Sequence, residues 1–279
     1  MKISKTICFL TLLLCASFPL IVSAQNASLT HRYAFSGDAD DSVGTLNGNL
    51  TAASTGLEAP LFGTDRPTGA DTSFATQSIE FGMNVGTAAS SVNFGAGAQV
   101  RIYDGKAGSV AYWFKADALL GGARDMFSNI GGASGLRTLT QNSGELRIAG
   151  ADMGNQNFSF NTTVTADTWH HFALTWDDNA GTGSIALDGD IKTFTFTAGA
   201  LTDPSRLILG NFAENDSQLG TQFDGRFYDL QIYEGTLSSL EIADLAANPG
   251  TAIIPEAGNF ALIGALFALA IVVSRRRAA

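Results

Sequence analysis

The chain has 279 residues, of which 45% are hydrophobic and 15% charged, and its formal net charge is −10 at pH 7. Residues 25–254 contain 11 basic and 25 acidic residues, so this part of the chain has a net charge near −14. Such an acidic surface argues against nucleic acid and anionic lipid as partners, because both need basic faces. Both cysteines, Cys8 and Cys15, lie near the N-terminus, which excludes disulfides and thiolate metal sites further along.

The N-terminus has the pattern of a bacterial export signal. Two lysines precede an apolar run over residues 7–22, and Val22-Ser23-Ala24 has the small residues of a signal peptidase site. The run is shorter than the ~20 residues that a membrane-spanning helix needs. We therefore expect residues 1–24 to be a signal peptide that signal peptidase removes between Ala24 and Gln25.

The middle of the chain predicts short antiparallel β-strands. Runs rich in Phe, Thr, Val, Tyr and Ile recur between clusters of Gly, Asn, Asp and Ser. Within residues 110–115 and 172–176 large apolar side chains alternate with others, which predicts one buried and one solvent-facing side. The predicted strands are Arg32–Phe35, Ser78–Phe81, Ser109–Lys115, Leu136–Thr140, Glu145–Ile148, His170–Trp176, Ser184–Leu187, Lys192–Thr197, Arg206–Leu209 and Arg226–Tyr233.

Local motifs predict two hairpins and one helix. Asp188-Gly189 favours a tight two-residue turn, because such turns need positive φ angles, and Asn142-Ser143-Gly144 is a second, weaker turn motif. Ser238 and Glu241 have the spacing of a helix capping box. Asn248-Pro249-Gly250 should end that helix, and we interpret residues 247–254 as a linker.

The two adjacent histidines, His170 and His171, lie in a predicted strand. Strand alternation directs them to opposite sides, so they are poorly placed to share a metal ion, and we expect a structural role for both. A serine-hydrolase interpretation has no support, because the chain lacks Gly-x-Ser-x-Gly.

The last 25 residues form an apolar tail that ends in basic residues. Pro255-Glu256-Ala257 precedes an uncharged run over residues 260–273, and Arg275-Arg276-Arg277 follows. Moving guanidinium groups through hydrocarbon is costly, so a transmembrane helix over about 258–274 would leave its arginines in the cytoplasm. The tail, residues 255–279, resembles the PEP-CTERM sorting signal, which a membrane exosortase recognises. Ala257 stands where that family usually has a second proline.

Three stretches of residues 29–246 resemble a known family. They are residues 31–48, residues 168–189 with Trp169-His170-His171 and Asp188-Gly189, and residues 223–233 with the helix that follows. In this order they resemble the laminin-G-like branch of the concanavalin A-like lectin/glucanase superfamily. The resemblance implies an all-β fold, a jelly-roll sandwich of two antiparallel sheets.

An acidic loop near the start of this domain is a candidate metal site. Asp38, Asp40 and Asp41 supply carboxylate oxygens, which Ca²⁺ prefers, although their spacing is not that of an EF-hand. The family resemblance implies that the first and last strands are neighbours, which would bring Asp229 towards the loop and form a calcium site. The alternative is an acidic turn whose side chains bond to nearby backbone amides.

The sequence favours a binding protein over an enzyme. Glucanases of the superfamily have Glu-x-Asp-x-Glu along one strand, and no such run occurs here. We expect an exported, exosortase-sorted protein of the bacterial cell surface or extracellular matrix that binds polysaccharide or another surface protein. The membrane helix would anchor it before processing. Two alternatives stay open: a glycoside hydrolase of the same fold, and a structural matrix protein that binds no small ligand.

Overall fold

The computed structural model describes residues 27–52, 59–82, 90–96, 102, 107–119, 121–131, 134–150, 153–201, 206–212 and 221–254. These ranges contain strands β1 (Ser28–Tyr33), β2 (Asn49–Ala52), β3 (Leu61–Gly63), β4 (Ser78–Phe81), β5 (Ser90–Ala96), β6 (Ala107–Ala116), β7 (Arg124–Gly131), β8 (Ser134–Thr140), β9 (Leu146–Ala149), β10 (Gln156–Phe158), β11 (Trp169–Asp177), β12 (Thr182–Leu187), β13 (Asp190–Thr195), β14 (Arg206–Leu209) and β15 (Gly225–Glu234), followed by helix α1 (Ser239–Ala247).

Both predicted terminal segments lie outside these ranges. They are the signal peptide, with its cleavage site between Ala24 and Gln25, and the sorting tail that begins at Pro255. Among the residues described, no helix is long and apolar enough to cross a membrane. Export, anchoring and sorting therefore stay predictions.

The strands form two antiparallel sheets. The eight-stranded sheet has the order β13-β12-β11-β6-β15-β4-β3, and β1 pairs with β15 beside β4. The seven-stranded sheet has the order β10-β9-β8-β7-β14-β5-β2. An all-β sandwich of two antiparallel sheets, consistent with a jelly roll, is confirmed.

The main core lies between the two sheets. Val110, Tyr112 and Phe114 of β6 point into it and are buried, as the alternation predicted. Phe172 of β11 stacks on Tyr112 with a ring-centroid distance of 4.7 Å. Full burial of a large apolar side chain stabilises a fold by about 1.5–3 kcal/mol, so these inward rows account for much of the packing energy.

The outward side of the central strands differs from the prediction of a solvent-facing side. Ala111, Ala173 and Ala186 point away from the main core, yet they are buried against Ile242 and Leu245 of α1. The physical reason is side-chain size, because alanines leave room for a helix to lie directly on a sheet. Period-2 alternation therefore locates the inner side correctly but does not reveal this second layer.

The predicted local motifs are present. Asp188 and Gly189 have φ angles of 51° and 82° and join β12 to β13, which is the expected two-residue hairpin turn. At the start of α1 the Ser238 hydroxyl accepts a hydrogen bond from the Glu241 amide at 3.3 Å. The Glu241 carboxylate accepts one from the Ser238 amide at 2.6 Å, which completes the capping box.

Candidate functional site

The predicted calcium loop has the hydrogen bonds of an acidic turn. Asp38 and Asp40 are exposed, and the Asp38 carboxylate accepts the Asp40 amide at 3.2 Å. Asp41 is buried, and its carboxylate accepts four backbone amides as well as a 2.6 Å contact from His31 Nδ1. These contacts match the alternative stated for this loop, a turn whose carboxylates bond to nearby backbone.

Asp229 pairs with an arginine. It is buried on β15, where Arg32 Nε and Nη2 donate to its two carboxylate oxygens at 2.8 and 2.9 Å. Burial raises the pKa of Asp229, and the hydrogen bonds from Arg32 oppose that effect. Because the Arg32 amide also bonds to Asp41 at 3.1 Å, one arginine contacts two of the four carboxylates that were expected to bind calcium. In the described part of the chain no group of three or more His, Cys, Asp or Glu residues is placed to hold a metal ion.

The two histidines point to opposite sides of the eight-stranded sheet, as predicted. His170 faces Phe114 of the main core and its Nδ1 lies 2.7 Å from the Asp188 carboxylate. His171 lies on the outward side beside Trp113, with ring centroids 5.3 Å apart. Burial lowers the pKa of His171 to about 4, so this ring is neutral at pH 7.

The outward side of the seven-stranded sheet is the strongest candidate for a binding site. Leu136, Leu146 and Leu207 point into the main core, so the arginines that follow or precede them, Arg137, Arg147 and Arg206, point outward. Polar residues of the neighbouring strands share this side. We call it the polar face and define it by Asn93, Asp125, Ser128, Arg137 and Arg147.

Strand register aligns the polar face into a row. Arg137 of β8 lies opposite Ser128 of β7, Ser128 lies opposite Ile208 of β14, and Ile208 lies opposite Asn93 of β5. With strands about 4.8 Å apart, this row is about 14 Å long. Ser128 and Ile208 in the middle of the row are each 1% exposed, so Arg137 and Asn93 at its two ends are the groups that reach the surface.

A buried ion pair holds Arg137 in one orientation. Its Nε and Nη2 donate to the two Asp125 carboxylate oxygens at 2.7 and 2.6 Å, and the ring of Phe212 lies 4.0 Å from the guanidinium carbon. Burial raises the pKa of Asp125, and the hydrogen bonds and charge of Arg137 oppose the shift. The side chain of Arg137 is still 21% exposed, so part of an oriented cation faces outward.

Two further groups of the polar face have unused hydrogen-bonding capacity. The Ser128 hydroxyl, in a residue only 1% exposed, has no hydrogen-bond partner among the described residues. Nor does Nε of Arg147, a half-buried side chain next to Leu139 and Asn157 in the sheet. Buried polar groups in folded proteins are normally bonded, so these two solvent-shielded atoms are exceptions among the described residues.

None of the residues of the polar face was singled out from sequence. The pattern that could have identified them is the alternation in Leu146-Arg147-Ile148 and Leu136-Arg137-Thr138, where one arginine interrupts two inward residues. Asp125 gives no such pattern, because a register shift between Asp125 and Phe127 disturbs the period of β7.

A model described as Laminin_G_3, of the concanavalin A-like lectin/glucanases superfamily, matches residues 85–243. No curated protein sequence matches the chain significantly.

Solved structures resemble the chain in fold. Domain 4 of AbnA, an extracellular arabinanase from Geobacillus stearothermophilus solved with arabinotriose, has a TM-score of 0.56 at 19% identity, covering 80% of this chain and 100% of that one. Botulinum neurotoxin type C, whose cell entry depends on two ganglioside molecules, has a TM-score of 0.57 at 12% identity, and the match covers 80% of this chain and 51% of that one. A Trypanosoma rangeli sialidase has a TM-score of 0.56 at 15% identity, and the match covers 78% of this chain and 32% of that one. Such low identities show a shared fold alone.

Proposed function

The chain belongs to the concanavalin A-like lectin/glucanases superfamily, and from that premise we propose that it is a carbohydrate-binding protein whose ligand lies on the polar face. The observation that supports this most directly is the partly exposed guanidinium of Arg137, which Asp125 holds in one orientation on the outward side of the seven-stranded sheet. Structural neighbours solved with arabinotriose, or dependent on gangliosides, favour a sugar as ligand.

The chemistry of the polar face suits a sugar. Sugar hydroxyls donate and accept hydrogen bonds, and the face offers guanidinium donors at Arg137 and Arg147. Because Asp125 and Phe212 already hold Arg137, little side-chain entropy would be lost on binding.

Binding without hydrolysis is the activity we propose. Glycosidases use two carboxyl groups, about 5–5.5 Å apart when retaining and about 6.5–9.5 Å apart when inverting. In the seven strands of this sheet, as described, Asp125 is the single carboxylate, and Arg137 occupies both of its oxygens. The hydrolase alternative predicts that the protein releases new reducing ends from a glycan, which a reducing-sugar assay after incubation measures.

Display outside the cell is the second part of the proposal, and it rests on the sequence of the two termini. Signal peptidase would remove residues 1–24, the tail 255–279 would anchor the protein, and an exosortase would process it at Pro255-Glu256-Ala257. Mass spectrometry of envelope and secreted fractions tests this. We expect a mature chain that begins at Gln25, whereas an untrimmed cytosolic chain would contradict the proposal.

Calcium at the loop of Asp38, Asp40 and Asp41 stays a prediction. Calorimetric titration of the purified chain with Ca²⁺ tests it. A titration that gives no heat, together with no rise in melting temperature, would remove the site.

Affinity gels containing arabinan, other neutral glycans and acidic glycans test the binding proposal. We expect the protein to be retained without releasing reducing ends, and Arg137→Lys to weaken retention, because lysine keeps the charge beside Asp125 but lacks the planar fork of donors. Arg226→Lys on the eight-stranded sheet is the matched control, because Arg226 is exposed to a similar degree and is also paired with carboxylates. Retention on no glycan, or equal retention of both variants, would contradict the proposal.

A further inference from the structure

We infer that the polar face selects anionic polysaccharide, with carboxylate or sulfate groups, over neutral polysaccharide. This inference rests on the proposed function and specifies its ligand class. It follows from how the charges of this chain are distributed between its two sheets.

The seven-stranded sheet is basic although the chain is acidic. Its strands contain four arginines and one carboxylate, Asp125. The strands of the eight-stranded sheet contain four basic and five acidic residues. The basic residues of the seven-stranded sheet are Arg124, Arg137, Arg147 and Arg206, and the charged residues of the other are Arg32, Lys115, Lys192, Arg226, Glu80, Asp177, Asp190, Asp229 and Glu234.

The cations of the two sheets differ in their partners. Every cation on the strands of the eight-stranded sheet has a carboxylate within 4 Å: the pairs are Arg32–Asp229, Lys115–Asp65, Lys192–Asp190 and Arg226–Glu80. On the strands of the seven-stranded sheet Arg137 has Asp125, and Arg124 and Arg206 also have partners. Arg147 differs, because it has no carboxylate within 4 Å and its Nε has no hydrogen-bond acceptor among the described residues. An oxyanion would supply both.

The geometry of guanidinium suits such a ligand. Arginine presents parallel N–H donors that pair bidentately with carboxylates and similar oxyanions, and these charge-assisted bonds are about twice as strong as neutral ones. Arg147 of β9 lies diagonally beside Arg137 of β8, at a separation of about 7–8 Å between backbone positions. An anionic group at Arg147 and a neighbouring sugar at Arg137 could therefore be bound together.

The negative charge on the rest of the chain restricts where an anionic polysaccharide can bind. A net charge near −14 over residues 25–254 repels a polyanion from every surface except one where positive charge prevails. Nucleic acid is a polyanion too, but single strands require exposed aromatic platforms in addition to charge. Phe212 is half-buried and lies against Arg137, so it is not free to stack on bases.

The test measures affinity of the full chain for polygalacturonate, dextran sulfate, neutral arabinan and single-stranded DNA. Arg147→Gln should weaken binding of polygalacturonate or dextran sulfate about tenfold or more. Added salt should also lower the affinity of the wild-type chain for these two polymers, because it screens charge. Whichever of these two polymers binds tighter identifies carboxylate or sulfate as the preferred group. Arg66→Gln is the matched control, since Arg66 lies elsewhere and donates to the Thr76 carbonyl.

The outcomes separate the two proposals. Arabinan binding as tight as that of the acidic glycans, unaffected by Arg147→Gln and by salt, would overturn this inference and leave carbohydrate binding intact. Equal losses for Arg147→Gln and Arg66→Gln, or DNA binding as tight as glycan binding, would also overturn it. Binding of no glycan at all would overturn both proposals.

Discussion

The outward sides of the two sheets have been built in opposite ways. On the eight-stranded sheet, Ala111 and Ala173 lie beneath helix α1, and each strand cation meets a carboxylate. On the seven-stranded sheet, Arg147 and Ser128 have hydrogen-bonding groups without partners among the described residues. Both sheets contribute to one core, so the difference lies in what covers the other side. His171 Nδ1 on the eight-stranded side also lacks a partner among the described residues, so the contrast lies in the helix cover and in the pairing of charges, and the basic side is where we propose a ligand.

The segment after α1 adds to the cover on the outward side of the eight-stranded sheet, which we call the covered side. Arg32 Nη2 donates to the Gly250 carbonyl at 2.6 Å, and Gln231 Nε2 donates to the Thr251 carbonyl at 2.7 Å. The Ile253 amide donates to the Tyr233 hydroxyl at 3.2 Å. Residues interpreted as a linker are therefore bonded to the sheet up to Ile253, and this docking depends on the same arginine that binds Asp229.

The largest expected effect comes from breaking the covered side at its buried ion pair. Asp229→Ala leaves the guanidinium of Arg32 buried without its carboxylate, which should lower the free energy of unfolding by about 3–5 kcal/mol. Urea unfolding measures it. The double variant Arg32→Met/Asp229→Leu removes both charges and should recover most of the loss, whereas a single variant as stable as wild type would contradict the importance of this pair.

Acid should destabilise the covered side next. The pKa of His171 falls from 6.5 to about 4 on burial, so the unfolded chain binds a proton in this range while the folded chain does not. The stability is fully present above pH 6.5 and is lost as pH falls towards 4, by at most about 3 kcal/mol. When urea unfolding is measured across this pH range, the free energy of unfolding should change less with pH for His171→Leu than for wild type. The same dependence on pH in both proteins would contradict the prediction.

Removing the helix cap should have a smaller effect on the same layer. Ser238→Ala deletes the hydroxyl that accepts the Glu241 amide, which should cost about 1 kcal/mol. The neighbouring Ser239→Ala, at an exposed position of α1, is the matched control in thermal unfolding. Equal effects of the two substitutions would show that the cap does not stabilise the helix layer.

The smallest effect on stability should come from the polar face. Arg147→Gln should change the free energy of unfolding by less than about 0.5 kcal/mol, because no described residue depends on that guanidinium. Combined with a large loss of glycan binding, this would complete the contrast with Asp229→Ala, which should leave glycan binding unchanged in protein that is still folded. A large loss of stability in Arg147→Gln would show that Arg147 stabilises the fold and would contradict the prediction.

Several elements followed from sequence alone. The predicted bounds of β4 and β14 coincide with the observed ones, and the turn at Asp188-Gly189 and the box at Ser238 and Glu241 are where local chemistry placed them. Each depends on residues within one strand or one turn. Interactions of that range are visible in a linear pattern.

Five strands were missed, because their own residues favour other conformations. β5 contains two serines, an asparagine and a glycine among its seven residues, and β7 begins with Arg124-Asp125 and has a register shift after it. The short strands β2, β3 and β10 have three or four residues each, too few to establish a period. Pairing with longer neighbours makes these segments strands.

Strand propensity, the hairpin turn and the capping box follow from neighbouring residues, so the order of amino acids is enough to specify an acidic, all-β domain. Which carboxylate meets Arg32, 197 positions away, depends on strands brought together by folding. The same is true of the row from Arg137 to Asn93 and of the helix that covers Ala111. Burial and register exist only in the folded chain, and they distinguish the side of this sandwich that helix α1 covers from the basic side where we propose a ligand.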